Sequence, residues 1–263
     1  FEDNGTAFGA RYGFGTQPFG NPNLPYGSQA PFHMGFYHLD WLVRTLQPDL
    51  LRTYPAWRVS LFGALADHAF ETGHAYWGWR FAGWALHYIG DLTQPYHAEP
   101  LPGVSTLEAL WLLVQGRSAD AVQLVSNRHG VLESYQYRRF AEALAAGDRG
   151  HALIAPIAAP AQVPTWTDTT FVDELARDSV AGAGALDAAL ETHMPARFVA
   201  DPDFEWNDSG EETAIVDTVR REGGEAAVAA LDAVLAEQLA RFGRYARAWV
   251  DRTWRRWETS RTD

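Results

Sequence analysis

The sequence predicts an all-α protein, a multi-helix bundle with a long N-terminal loop region, and two observations indicate this class. Apolar residues recur at helical spacing over long stretches, as in the last one, where Val228, Leu231, Leu235 and Leu239 fall on one face. No stretch alternates apolar and polar residues over the length of a strand. Since the chain has no internal repeat and no clear domain boundary, we expect residues 1–263 to form one domain.

The first part of the chain is predicted to change from loop to helix. Residues 1–32 are rich in Gly, Pro, Asn and aromatic residues and follow no helical or strand period, which predicts an ordered loop region. From His38 the pattern is helical, and two prolines divide it into three runs, the last of which is expected to end at Gly73. The helix predicted next, over residues 76–92, is apolar nearly all round, so we expect it in the middle of the fold.

The rest of the chain is also predicted to be helical. Ser105 and Ser118 are suitable N-caps, and Gly116 is a suitable end for the short helix between them. An Ala/Pro-rich stretch over 147–167 is expected to connect two helices. Predicted helices cover residues 105–116, 118–146, 168–190, which two glycines weaken, and 225–257, with an irregular stretch over 195–212.

Composition and charge limit the classes of function. The net charge of −12, from 21 Lys and Arg against 33 Asp and Glu, argues against binding along double-stranded nucleic acid, which needs a basic surface. Cysteine is absent, so any zinc ion must be held by His, Asp or Glu. No window of 18 uninterrupted apolar residues predicts a transmembrane helix. No signal peptide is visible, and because the chain starts at Phe1, we expect that an upstream segment was removed.

The stretch over residues 84–99 carries a predicted metal motif. His87 and Asp91 are four residues apart, so on a helix both side chains leave the same face one turn apart. Pro95 is expected to end this helix, because its ring cannot donate a backbone hydrogen bond and pushes Gln94 out of the α region. His97 then follows on a bend. Two imidazoles and a carboxylate placed in this way favour a divalent metal ion.

A second pair with the same geometry lies further along the chain. His129 and Glu133 are also four residues apart on a predicted helix. One such pair is weak support, because helix surfaces carry such pairs for salt bridges or by chance. Two pairs with His97 between them favour a metal site within a helical bundle over unrelated polar positions.

These motifs resemble the zinc-dependent phospholipase C family, whose wider superfamily includes single-strand-specific zinc nucleases. The resemblance rests on the run H-Y-I-G-D-L-T-Q-P-Y-H-A, followed by H-x-x-x-E, and covers roughly residues 57 to 135. It implies an all-helical domain that holds three zinc ions in a cleft. It also implies a secreted or periplasmic protein.

The resemblance implies a role for each motif residue. Asp91 would bridge a pair of zinc ions, and His87 would bind one member of that pair. His97, His129 and Glu133 would hold the remaining zinc ion.

Two further ligands are implied upstream of the motif. Asp3, with Glu2 as the alternative, matches an aspartate of the family. His33 and His38 are both candidates for a histidine of the family, and we prefer His38 because of its aromatic-rich setting and its spacing to His87.

The start of the chain departs from the family pattern. Family members begin with a Trp whose amino group and carbonyl bind the third zinc ion, followed by a helix that supplies another His. Only Phe1 and Glu2 precede Asp3 here. We therefore expect up to three zinc ions, and two if the missing N-terminal ligands have no replacement.

The implied activity is hydrolysis of a phosphoric ester. Clustered divalent ions can bind phosphodiester oxygens and lower the pKa of a bound water from about 16 to about 7. Asp91 would fix the separation of the ions, and Asp3 would bind an ion and orient or deprotonate the attacking water.

Three functions remain open at this point. A phospholipid is the leading substrate, because the acidic composition suits a compact phosphate better than a nucleic acid chain. A single-strand-specific nuclease, with aromatic residues that stack on bases, is the first alternative. A non-catalytic bundle that the metal stabilises is the second.

Overall fold

In the computed structural model, which describes residues 30–159, 162–167 and 169–262, every regular element is helical. This confirms the predicted all-α bundle. The predicted N-terminal loop region lies outside the described residues up to position 29, and residues 30–32 belong to the first short helix. None of the described helices is long and apolar enough to cross a membrane. The α-helices are α1 (Ala30–His33), α2 (Trp41–Leu46), α3 (Pro55–Glu71), α4 (Ala75–Thr93), α5 (Pro95–Ala98), α6 (Thr106–Val114), α7 (Ser118–Ala145), α8 (Ala155–Ala158), α9 (Ala176–Ala181), α10 (Ala183–His193), α11 (Ala196–Val199) and α12 (Ile215–Ser260).

Helix α4 packs between α3 and α12, as its apolar composition predicted. Gly73 has a φ of 79° and makes the turn between α3 and α4, a conformation that a residue with a side chain adopts at a cost. Tyr88, Ile89 and Leu92 of α4 are buried with Trp249 of α12 in one core cluster. The burial of these large side chains fixes the C-terminal half of α4, which carries His87 and Asp91.

Helix α7 belongs to a second core cluster. Leu132 and Tyr135 of α7 pack with Leu231 and Leu235 of α12 and with Trp206. The face of α7 that carries these residues is therefore fixed against α12. His129 and Glu133 leave α7 beside this face, and Nε2 of His129 lies 2.8 Å from Nε2 of His97 on α5.

Two of the predicted helices differ from the structure in their extent or continuity. The predicted helix over 168–190 is divided into two at Gly182, which ends α9, and α10 begins at Ala183. The first part of this predicted helix is a π-helical turn over Thr170–Leu175 that leads into α9. The predicted helix start at Glu225 agrees with a kink in α12, because Gly224 has a non-helical φ of 70° and ψ of −178° and divides α12 into two helical parts. The part that begins at Ile215 was not predicted from the sequence.

A close backbone contact joins the segment after α1 to α5, next to the end of α4. The amide of Gly35 donates a hydrogen bond to the carbonyl of His97, with an N–O distance of 2.7 Å. A Cβ atom at position 35 would lie 2.4 Å from Cδ2 of Leu92, so only glycine allows this approach. The contact places the segment that carries His33 beside Asp91.

We predict that Gly130→Ala destabilises the fold although it places a better helix former in α7. The new Cβ atom would lie 2.5 Å from Cδ1 of Trp206, which is 1% exposed and cannot move aside. The overpacking should lower the free energy of unfolding by about 1–3 kcal/mol. Gly83→Ala on α4 is the matched control, because nothing lies within 4 Å of its Cβ position, and it should stabilise by about 0.5–1 kcal/mol. Urea unfolding of both variants tests this, and an equal effect of the two would contradict it.

Candidate metal centre

The end of α4 places three of the predicted ligands. The helix ends at Thr93, and Gln94 is extended, with φ −88° and ψ 123°, before Pro95 begins the one-turn helix α5. This confirms the predicted helix end at Gln94-Pro95. His87 and Asp91 leave α4 on one face, and His97 lies on α5 rather than on a simple bend.

The first group of candidate ligands consists of His33, His87 and Asp91 and is called the first triad here. Nδ1 of His33 lies 2.7 Å from Oδ2 of Asp91 and 3.2 Å from Nε2 of His87. Nε2 of His87 lies 3.5 Å from the same carboxylate oxygen. Two ligands of a tetrahedral zinc ion are about 3.4 Å apart when each bond is about 2.0–2.1 Å. The three atoms thus converge at nearly the spacing that one ion requires.

The second triad consists of His97, His129 and Glu133. Nε2 of His97 lies 2.8 Å from Nε2 of His129 and 3.4 Å from Oε1 of Glu133. Nε2 of His129 lies 3.1 Å from that oxygen. Each triad therefore offers one carboxylate and two imidazoles, the number of protein ligands that a catalytic zinc ion usually has.

Hydrogen bonds orient the ligands of the second triad. Nδ1 of His97 donates to the carbonyl of His33 at 3.2 Å, which leaves Nε2 without a proton when the ring is neutral. Nε2 of Gln94 donates to Oε1 of Glu133 at 2.9 Å. From the sequence, Gln94 was expected only to end the helix before Pro95. Its contact with Glu133 could not be predicted, because the two residues are 39 positions apart and no local pattern relates them.

Asp91 lies between the two triads. Its Oδ2 atom belongs to the first triad, and its Oδ1 atom lies 3.8 Å from Nδ1 of His97. The His97 side chain is 7% exposed and that of Asp91 13%, whereas His87 is 57% and Glu133 53% exposed. The centre therefore has a buried floor and an exposed rim that a substrate can reach.

The charges of the second triad are coupled. Burial lowers the pKa of His97, but a hydrogen bond with Glu133 and the charges of Asp91 and Glu133 outweigh burial and raise it. Burial raises the pKa of Glu133, but hydrogen bonds from His129 and His97 and their charges lower it well below its ordinary value. Glu133 is thus ionised at neutral pH and available as a ligand.

The structure places His33, rather than the preferred candidate His38, beside Asp91. Nε2–H of His38 donates to the carbonyl of Val172 at 3.0 Å, and His33 occupies the position in the first triad. The physical reason is the contact between Gly35 and His97, which holds the segment after α1 against α5, next to the end of α4. The remaining predicted ligand and catalytic residue, Asp3, lies outside the described residues, as does its alternative Glu2.

The donor set fits zinc. Imidazole and carboxylate groups suit this ion, and three protein ligands leave a coordination position for water or substrate. Two groups of described residues could each hold a metal ion.

Comparison of the chain with protein-family models, curated proteins and solved structures finds no match in any of the three. The resemblance to the zinc-dependent phospholipase C family therefore rests on the motif residues alone.

We predict that His33→Ala and His38→Ala differ in metal binding. His33→Ala removes a ligand atom from the first triad and should remove one bound zinc ion per chain. His38→Ala removes only a hydrogen bond to Val172 and should keep full zinc content. Elemental analysis after dialysis against zinc-containing buffer measures both, and loss of an ion in His38→Ala but not in His33→Ala would contradict the placement of these residues.

We also predict a pH dependence of stability for the metal-free chain. Because folding raises the pKa of His97, its contribution is present below the ordinary value of 6.5 and is lost as the pH rises through the folded value. Wild type in chelator should therefore lose more stability between pH 6 and pH 9 than His97→Gln does. Urea unfolding at the two pH values tests this, and equal losses in the two proteins would refute it.

Proposed function

We propose that the two triads hold zinc ions and that the chain is a zinc-dependent phosphodiester hydrolase similar to phospholipase C. The observation that carries this proposal is the convergence of six ligand atoms into two adjacent groups with Asp91 between them. Isolated pairs of His and Glu on helix surfaces do not converge in this way.

The second support is the shape of the centre. The side chains of His97, which is buried, and Asp91, which is 13% exposed, can hold their positions while a substrate exchanges at the exposed rim formed by His87 and Glu133. A purely structural zinc site is usually closed by four protein ligands, whereas each described triad has three.

The residues would share the chemistry as follows. Bound zinc ions would neutralise charge on the phosphate and supply a water of lowered pKa. Asp91 would bind the ion of the first triad through its Oδ2 atom, while its Oδ1 atom points towards His97 of the second triad. Asp3 would orient or deprotonate the attacking water. Addition of water to phosphorus and release of the ester oxygen would yield a phosphomonoester and an alcohol.

We propose a phospholipid as the substrate. The net charge of −12 disfavours long polyanions and tolerates a compact head group whose phosphate is held by the metal ions. The resemblance in the H-x3-D-x5-H motif supports the same substrate, and it also supports a secreted or periplasmic location.

The test of substrate measures hydrolysis of three substrates by the zinc-loaded full chain: phosphatidylcholine vesicles, a small soluble phosphodiester and denatured DNA. We expect release of a phosphorylated head group from phosphatidylcholine vesicles, slow hydrolysis of a small soluble phosphodiester, and loss of both in chelator. Degradation of denatured DNA without release of head group would favour the nuclease. Full zinc content with no turnover of any of the three would favour a metal-stabilised, non-catalytic bundle.

We predict that His129→Ala and Glu133→Ala each lose the same single zinc ion. Their side-chain atoms lie 3.1 Å apart in the second triad, so removal of either leaves two ligands. Both variants should lose phosphodiesterase activity by at least about 100-fold, within the range expected when a catalytic interaction is removed. Glu142→Ala, at an exposed position of α7 that contacts Arg139, is the matched control and should keep both ions. Full zinc stoichiometry in both ligand variants would sink the assignment.

A further inference from the structure

A buried carboxylate joins the two segments that carry the histidines of the second triad. Asp187 of α10 is 4% exposed. Its Oδ1 atom accepts a hydrogen bond from the hydroxyl of Tyr96, and its Oδ2 atom accepts one from Nη1 of Arg128 at 2.6 Å. Tyr96 directly precedes His97, and Arg128 directly precedes His129. One carboxylate therefore holds the neighbours of both histidines.

Arg128 is held on every side. Its Nε atom donates to the carbonyl of Val199 at 2.9 Å, and its Nη2 atom donates to Oε1 of Glu191 at 2.6 Å. With the bond to Asp187, the planar guanidinium has three fixed partners on α10 and α11. This arrangement fixes both the position and the rotation of α7 at the residue before His129.

Tyr96 has a second contact that reaches a ligand directly. Its ring is stacked on the imidazole of His129, with centroids 6.0 Å apart and planes at 13°. The hydroxyl bond to Asp187 thus sets the position of a ring that limits the rotation of His129. Gly103, with a φ of 78°, allows the following loop to pack on this carboxylate, since a Cβ atom there would lie 2.4 Å from Oδ2 of Asp187.

We propose that Asp187 is a positioning residue for the second triad. It holds Tyr96 and Arg128 so that the Nε2 atoms of His97 and His129 stay 2.8 Å apart and face Glu133. Asp187 itself is not among the ligand atoms of either triad. The inference rests on the proposed metal centre and adds a residue, far away in sequence, on which the metal affinity of that centre depends.

The chain contains a matched carboxylate for comparison. Asp232 of α12 is 5% exposed and also accepts hydrogen bonds from a tyrosine and an arginine of α7, Tyr135 at 3.0 Å and Arg139 at 2.5 Å. Neither partner directly precedes a ligand or stacks on one. Removal of the charge of Asp232 should therefore destabilise the fold without a selective effect on metal binding.

The test measures zinc affinity by competition with a chelator in His87→Ala chains, in which only the second triad is complete. Added to this background, Asp187→Asn and Tyr96→Phe should each weaken zinc binding by about 10- to 100-fold, the range for partners that orient metal ligands. Asp232→Asn should change it less than about 3-fold, although urea unfolding shows a comparable loss of stability. Tyr96→Phe keeps the stacked ring and removes only the hydrogen bond to Asp187. If Asp187→Asn does not fold, the zinc affinity of Tyr96→Phe alone therefore tests the positioning role.

The outcomes separate the two proposals. Unchanged zinc affinity in Asp187→Asn and Tyr96→Phe would overturn the positioning role and leave the metal centre intact. An equal loss in Asp232→Asn would overturn it too, because the effect would then follow from stability. If the His87→Ala chain binds no zinc, the second triad is not a metal site, and the positioning role fails with it.

Discussion

The break in the helix at Pro95 is the constraint on which the rest of the centre depends. If α4 continued beyond Thr93, His97 would follow the helix surface away from Asp91. Because Gln94 is extended before Pro95, the chain turns back and brings His97 close to Asp91. Nδ1 of His97 lies 3.8 Å from Oδ1 of Asp91. The same turn carries Tyr96 to Asp187, so one local break directs both a ligand and its support.

The centre also shows how a helical bundle accommodates polar groups. Two core clusters, one around α4 and one around α7 and α12, bury the large apolar side chains and leave the ligand faces of α4 and α7 directed towards each other. In the second triad, both nitrogens of His97, Nε2 of His129 and Oε1 of Glu133 have a hydrogen-bond partner or face another ligand atom. Without a cation, such a cluster of imidazoles and carboxylates lowers the free energy of unfolding. Zinc binding should therefore add to the stability of the folded chain.

The parts of the site that sequence could predict are those set by local geometry. Spacing of four residues is enough to place His87 with Asp91 and His129 with Glu133, because a helix fixes that relation. His33 could not be chosen over His38, since the choice depends on a backbone contact between Gly35 and His97. The fold class followed from periodicity, and so did the part of α12 after the kink at Gly224, but the part that begins at Ile215 did not. No pattern indicated Asp187, whose partners are 59 and 91 residues away.

Anomalous diffraction at the zinc absorption edge, from crystals of the zinc-loaded chain, tests the central claim most directly. We expect one peak among His33, His87 and Asp91 and another among His97, His129 and Glu133. A map with no peak at either triad, or with peaks only at other surface residues, would contradict it.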